Sequence, residues 1–415
     1  MHATDSPAQL AIVCDTIPFP ARSGDNQRIA ELIAVLRQTG WFVHLILCKF
    51  LDRYQRKECS AHVDALHTYT GAGWNLRLRN GLRHVVRFTD RAGARLGLPP
   101  AEDIATRILG RSLTPAVLNY WQRYPSGLDA FIAQLADRFP LKALIVEYIW
   151  LYPAAVKLNR RIPRLLDTHD IQHKRVEEFA SRGLAFPLRI SREREADIFK
   201  DFDSVIAIQS EEAALIKSMC PDLKVLTTGS SGSYGRSSAD EPVTGRVFYI
   251  GGYNGANNDG LGRFLKSIWP MIYAESPNAH LHVCGNVYRA FAGERFERVK
   301  FLKHMEDPER EYREASVVIN PSWIGTGLKI KSIEALARGK PLVTTAKGVE
   351  GLPDDVSRAA LVCNGDKEFG AQVARLLRDP ETRNEVCKKT RAFAEEYLQP
   401  QVVYKDLLDF LNELR

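Results

Sequence analysis

The sequence predicts an α/β fold built as two Rossmann-like β/α/β domains facing each other across a cleft. Short apolar runs of strand length alternate with helical periodicity along most of the chain, the pattern of parallel βαβ units. The alternation breaks at 229–245 (GSSGSYGRSSADEPVTG), a Ser- and Gly-rich stretch poor in apolar residues that reads as a linker, and restarts directly after it. A length of 415 residues is also long for one core and suits two.

The first array opens with LAIVC at 10–14, a run suited to a buried strand. The loop DTIPFPARSGDN follows, then a helix with Ile29, Leu32, Ile33 and Leu36 at i, i+3, i+4 and i+7. That helix ends near Gly40, and FVHLILC at 42–48 is the next strand. Residues 70–140 read as irregular and helical. Strand-like runs return at 143–148, 164–168, 204–208 and 224–228. The second array starts at RVFYIGG (246–252), followed by a helical face of Leu261, Phe264, Leu265, Ile268 and Ile272. Strands are expected at 280–285, 299–304, 317–321, 341–345 and 360–363, a helix around 328–338, and three helical stretches at the end. The expected domains are 1–235 and 236–400.

Composition narrows the class. An apolar share of 45% with 26% charged residues is that of an ordinary globular chain. No apolar run approaches 18 residues, so no transmembrane helix is expected, and the first residues lack the pattern of a signal peptide. Seven scattered cysteines without a CxxC favour a reducing cytoplasm and no structural zinc. The net charge of +7 is uneven: Arg79, Arg83, Arg87, Arg91 and Arg95 recur every four residues beside Leu82, Val85, Val86 and Phe88. On a helix this is a basic stripe, either a solvated face or a surface that lies on anionic lipid. No nucleic-acid module accompanies it, so no nucleic-acid partner is expected.

Ligands of open α/β sheets bind beyond the carboxyl ends of the strands. There, after the run at 317–321, stands GTGLKIKSIEALARGKPLVTT (325–345). Gly325 and Gly327 let backbone approach a ligand closely. The start of the following helix offers N–H groups and partial positive charge, and Lys329 and Lys331 add full charges. Together these describe a cradle for a phosphate or diphosphate. Glu334, about 40° from Ile330 on the helix by the ~100° step per residue, sits at the edge of the apolar face. From there it can reach sugar hydroxyls as an acceptor.

Other strand-end loops offer weaker signals. Ser23, Gly24 and Asp25 open the first helix, either as an N-cap or as a site for an anion. In LLDTHD, His169 and Asp170 end a strand, with structural and ligand-facing readings both open. In GGYNGANND, which is not a dinucleotide fingerprint, Gly252 allows close approach and Asn257 either caps the next helix or meets a ligand. The DFD at 201–203 precedes a strand and therefore reads as solvated acids, not a metal-nucleotide motif. No metal-ligand spacing and no nucleophile elbow occurs.

Four segments carry a family resemblance: PFPARSGDNQRIAELIAVLRQTGWFVHLIL, LLDTHD, VFYIGGYNGANNDGL, and NPSWIGTGLKIKSIEALARGKPLVTT with GVEGL after it. With these the chain resembles the retaining, nucleotide-sugar-dependent glycosyltransferases of family 4, whose architecture is called GT-B. The resemblance implies transfer from a nucleoside-diphosphate sugar to a hydroxyl acceptor, without metal or cofactor. It implies a donor held mainly by the second domain and an acceptor mainly by the first. It further implies that Glu334 holds the donor ribose, that Gly325 to Gly327 lie against the donor, that Gly24 faces the diphosphate, and that His169 touches the transferred sugar. The last helix, about 401–415, is expected to return to the first domain. The arginine stripe then suggests a lipid-linked saccharide or a lipopolysaccharide or exopolysaccharide precursor as acceptor, met at the inner face of the cell membrane. The chain departs from the common pattern twice. Thr326 stands where many members carry a second acid for the donor sugar, and GGYNGANND lacks the usual Arg and Lys for the diphosphate, a charge that Lys329 and Lys331 could supply. A nucleotide-sugar epimerase of the same fold and a non-catalytic homologue remain the alternatives.

Overall fold

The computed structural model describes residues 7–71 except 22, 120–232 except 157, 159–160, 182–185 and 187, and then 242–303, 308–325 and 327–415. The arginine stripe at 79–95 and Thr326 lie outside the described residues. The chain forms two compact units. One comprises Met1–Ile17, Gly40–Val205 and Asp222–Lys224; the other comprises Pro18–Thr39, Ile206–Pro221 and Val225–Arg415.

The first sheet contains β1 (Gln9–Cys14), β2 (Phe42–Leu47), β3 (Ala65–Thr68), β4 (Leu141–Glu147), β5 (Arg164–Asp167), β6 (Ser204–Ala207) and β7 (Lys224–Thr227). Its order is β3-β2-β1-β4-β5-β6-β7. The pairs β1–β2, β2–β3, β1–β4 and β4–β5 are parallel. In β1, Leu10, Ile12, Val13 and Cys14 are all fully buried, as are Ala143 to Val146 in β4. Burial on both faces explains why these strands read as unbroken apolar runs instead of alternating ones. Strand β3 was not expected. Its sequence, ALHT, is half-buried throughout and has no apolar run to announce it.

The second sheet contains β8 (Arg246–Ile250), β9 (His280–Cys284), β10 (Val299–Leu302), β11 (Val317–Asn320), β12 (Leu342–Thr345) and β13 (Leu361–Cys363), in the order β10-β9-β8-β11-β12-β13. All five pairs are parallel. Alternate side chains divide between two cores. Val247 and Tyr249 join Leu261, Phe264, Leu265 and Ile268 on one face. Phe248 joins Ile333, Ala335 and Leu336 on the other. In both sheets the strand order reverses at one point, β1/β4 and β8/β11. Such a reversal opens a crevice beyond the strand ends.

The stretch expected as a linker begins as a fixed segment. Within the second unit, Arg28 donates to the carbonyls of Thr228 (2.7 Å) and Gly229 (3.1 Å). Glu31, 1% exposed, accepts from the Ser230 hydroxyl (2.6 Å) and the Ser231 N–H (2.7 Å). The Gly24–Gln38 helix is thus tied to residues 228–231, a link no local pattern reveals. At the chain's end, Asp406 accepts from the Thr227 N–H (3.2 Å) and Arg415 donates to the Thr39 carbonyl.

Candidate functional site

The loop leaving β11 is built from backbone that only glycine adopts readily. Gly325 has φ +107° and Gly327 φ +76°. Lys329, 9% exposed, fixes it: its ammonium donates to the carbonyls of Gly325 (3.0 Å) and Gly327 (2.7 Å) and lies 3.5 Å from Glu350. The two lysines therefore differ. Lys329 braces the loop, whereas Lys331 crosses to the neighbouring strand end, 2.5 Å from Asn257 Oδ1 and 3.3 Å from the Tyr249 hydroxyl. Burial, together with the nearby charge of Lys329, pushes the Lys331 ammonium down to about 7. Asn257 does not cap its helix. Asn254 does, accepting from the Asn257 N–H, and the Asn257 amide is left to bridge Lys331 and the Gly252 carbonyl (2.9 Å).

The helix Ile330–Ala337 carries Glu334, which is buried. Its Oε2 accepts from the Tyr312 hydroxyl at 2.9 Å. Burial raises its pKa, while Arg338 and the Tyr312 hydroxyl pull the other way. Arg338 stacks over the Tyr312 ring (4.5 Å), pairs with Glu309, and donates to the Glu334 carbonyl (3.0 Å). Beneath the loop, Asn320 at the end of β11 donates to Ser332 Oγ (2.8 Å) and to the Gly348 carbonyl (3.2 Å), and Thr344 bonds the Asn320 carbonyl (2.9 Å). The signal for this network was available in sequence, as polar residues closing the apolar runs VVIN and LVTT.

Gly24 joins this group. A Cβ there would stand 3.0 Å from Ile330 Cγ1, so the start of the first helix presses against the start of the Ile330 helix. Ser23 stands at the N-cap position of the helix, with its hydroxyl on the Asp25 carboxylate in place of a helix N–H. Hence Gly24, Gly252, Asn257, Gly325, Gly327, Lys329, Lys331 and Glu334 share the second unit. The mixture is suited to an anionic, hydroxyl-rich ligand: two glycine-opened backbones, one partly neutralised amine and one buried acceptor.

His169 belongs to the first unit, just past β5. Its Nε2 lies 2.5 Å from Glu147 Oε2 at the end of β4. Tyr148 stacks on the His169 ring (4.0 Å) and on Trp150 (4.4 Å). Both Tyr148 (φ 73°) and His169 (φ 59°) hold positive φ, an uncommon conformation for residues with a Cβ and one that concentrates at functional sites. Asp170 instead pairs with Arg175 (2.6 Å), a local role. Sequence reading did not single out Glu147 or Asp167, although each is an acid closing an apolar strand. Ligand atoms of Glu147, Asp167 and His169 lie within 4.8 Å of one another, so these three could hold a cation that no motif spacing announced. The DFD acids are not simply solvated: Asp203 accepts from the Arg164 N–H (2.8 Å) and Nε (3.2 Å).

Residues 244–379 match the family model described as glycosyl transferases group 1. Over this segment the chain is similar to that family. Across the whole chain the fold is GT-B. The structure resembles sucrose-phosphate synthase from Thermosynechococcus elongatus at 16% identity, over 98% of this chain and 99% of that one, with a TM-score of 0.63. It also resembles TarM of S. aureus, solved with Fondaparinux, alpha-GlcNAc-glycerol and UDP, at 9% identity over 98% and 100%, with a TM-score of 0.67. HepE from Anabaena, solved with UDP and glucose, aligns at 12% identity over 97% and 99%, with a TM-score of 0.62. Among curated proteins, the uncharacterized 44.6 kDa protein in the cps region of Klebsiella pneumoniae is 22% identical over 172 residues, 39% of this chain and 44% of that relative's length. Among the described residues no helix is long and apolar enough to cross a membrane.

Proposed function

We propose that the chain is a retaining, metal-independent glycosyltransferase of family 4 that moves a sugar from a nucleoside-diphosphate donor to a hydroxyl acceptor. The observation that carries this is the group 1 domain at 244–379, with its buried Glu334, Lys331 and braced Gly325–Gly327 loop gathered at one strand-order reversal. In this reading Glu334 accepts from the donor ribose, and Gly24, Gly252, Asn257 and Thr326 line the donor. Lys331 and the helix start receive the diphosphate, with Lys329 fixing the loop that meets it. His169 meets the transferred sugar. As the glycosidic bond breaks, negative charge gathers on the leaving diphosphate. Groups aimed there stabilise that state more than the ground state, which is what acceleration requires. The donor is assigned to 236–400 and the acceptor to 1–235. The acceptor is a lipid-linked saccharide or a lipopolysaccharide or exopolysaccharide precursor, met from the cytoplasm at the inner membrane face through the arginine stripe. The relative named for a cps region supports a polysaccharide product. The UDP and sugar in the solved neighbours support the donor class.

A thermal-shift panel of nucleoside diphosphates and their sugars tests this. A ligand at ~100 times its Kd adds ~2.7 kcal/mol to apparent stability. One base should shift the midpoint, and Glu334→Ala should abolish that shift. Donor turnover should need an acceptor and survive EDTA. A panel with no shift, or free epimerised sugar formed without acceptor, would overturn the reading.

A further inference from the structure

On the far side of the Ile330–Ala337 helix lies a cavity of about 280 Å³, walled by the carboxyl end of that helix, the residues entering β11 and β12, and one face of the helix Pro380–Tyr397. It lies at the opposite ends of the strands from the Gly325 loop. Its lining includes Arg313, Arg338, Lys340, Arg383 and Arg391, with Glu395 as the only acid among the described lining residues. Some of these cations serve the fold: Arg338 pairs with Glu309, and Lys340 donates to the Arg313 carbonyl (2.6 Å). Arg383 and Arg391 are different. Arg383 spends one guanidinium nitrogen on the Leu376 carbonyl (3.1 Å), yet its Nε is buried with no hydrogen-bond partner among the described residues. The stem of Arg391 rests on Gly339, whose φ of 64° and missing Cβ make room for it. By the ~100° helical step, Arg383, Cys387 and Arg391 fall within ~80° of arc, so all three stand on the helix face that lines the cavity.

We propose that this cavity is a binding site for a small soluble anion carrying a phosphate or diphosphate group. A concave wall of one sign focuses potential. Guanidinium groups match phosphate oxygens in pairs, and a buried N–H without a partner is costly until a ligand supplies an acceptor. The volume lies near the lower end of the ~300–1,000 Å³ usual for ligand pockets, which favours a compact anion over a whole nucleotide sugar.

Isothermal titration with inorganic diphosphate tests this independently of the transferase reading. Lys329→Ala/Lys331→Ala removes the charges of the candidate donor site; Arg383→Gln/Arg391→Gln removes those of the cavity without reversing them. Diphosphate should still bind the lysine variant, and adding Arg383→Gln/Arg391→Gln to that variant should weaken binding at least tenfold, with the unliganded thermal midpoint unchanged by the two arginine substitutions. Equal affinity in the lysine variant with and without Arg383→Gln/Arg391→Gln would overturn the proposal. So would loss of all binding in the lysine variant, or binding to anionic phospholipid vesicles with none to diphosphate.

Discussion

At the end of β4, Glu147 is wholly buried and its carboxylate meets an imidazole 2.5 Å away, under a stack of Tyr148 and Trp150. Beyond β11, Glu334 is nearly as buried, but its carboxylate meets the neutral hydroxyl of Tyr312. Lys331, on the helix that follows the loop, meets an amide and a phenol. Removing a carboxylate from water is expensive unless a partner compensates. The first region supplies that partner from its own strand end. In the second, burial dominates, raising Glu334 and lowering Lys331. The first region compensates its acid internally, whereas in the second the proposed anion and its hydroxyls would supply the compensation.

The sharpest way to break that contrast is Lys331→Met, which keeps length and removes charge. If the ammonium faces a leaving diphosphate, kcat should fall by about 10²–10³, the usual cost of one electrostatic donor. Donor KM should change less. A variant with normal kcat would move the charge stabilisation elsewhere.

In the first region His169→Ala should lower kcat by about 10², the scale of a positioned acid, base or polar contact to the reacting sugar. The Kd for nucleoside diphosphate should stay at the parent value, because the diphosphate is assigned to the other cluster. Matching losses in kcat and nucleotide affinity would erase the distinction.

Protonation separates the clusters next. With Lys331 lowered to about 7, its charged form prevails below that pH and is lost above it. An anion prefers the charged form, so nucleoside-diphosphate affinity should fall as pH rises from 7 to 9, by up to ~tenfold per unit for one linked proton. If Glu334, whose pKa is raised, accepts from the donor ribose as proposed, its protonation should set an acid limb. Calorimetry on the parent and Lys331→Met should show the alkaline limb only in the parent.

These differences explain what the sequence could and could not reveal. Periodicity exposed both arrays because apolar burial is local in sequence, and LAIVC, ALIV and VVIN are legible alone. The glycine loop and the place of Glu334 on its helix were legible because loop glycines and helical spacing are local in sequence. The partners were not. Tyr312 lies within EREYREAS, a stretch with no motif, and reaches Glu334 only through the fold. Glu147 and His169 are separated by a crossover, so their pairing required β4 and β5 to be adjacent. Arg28 and Glu31 hold residues 228–231, at the start of the expected linker, and the sequence separation of those contacts hid them.

The smallest expected effect probes the partner that the second region does have. In Tyr312→Phe the ring still packs against Phe248 (4.8 Å) and under Arg338 (4.5 Å), so the fold should hold. Only the hydrogen bond to Glu334 is lost. A typical net bond is worth ~0.5–1.5 kcal/mol, which predicts a donor KM about 2–12-fold higher with kcat unchanged. The hydroxyl favours the ionised carboxylate, so its loss should raise the Glu334 pKa further and move the acid limb of the affinity profile to higher pH. A purely structural tyrosine would lower the melting midpoint and leave that limb in place. A shifted limb at unchanged midpoint would instead mark Tyr312 as the group that keeps a buried acid charged until the ribose arrives.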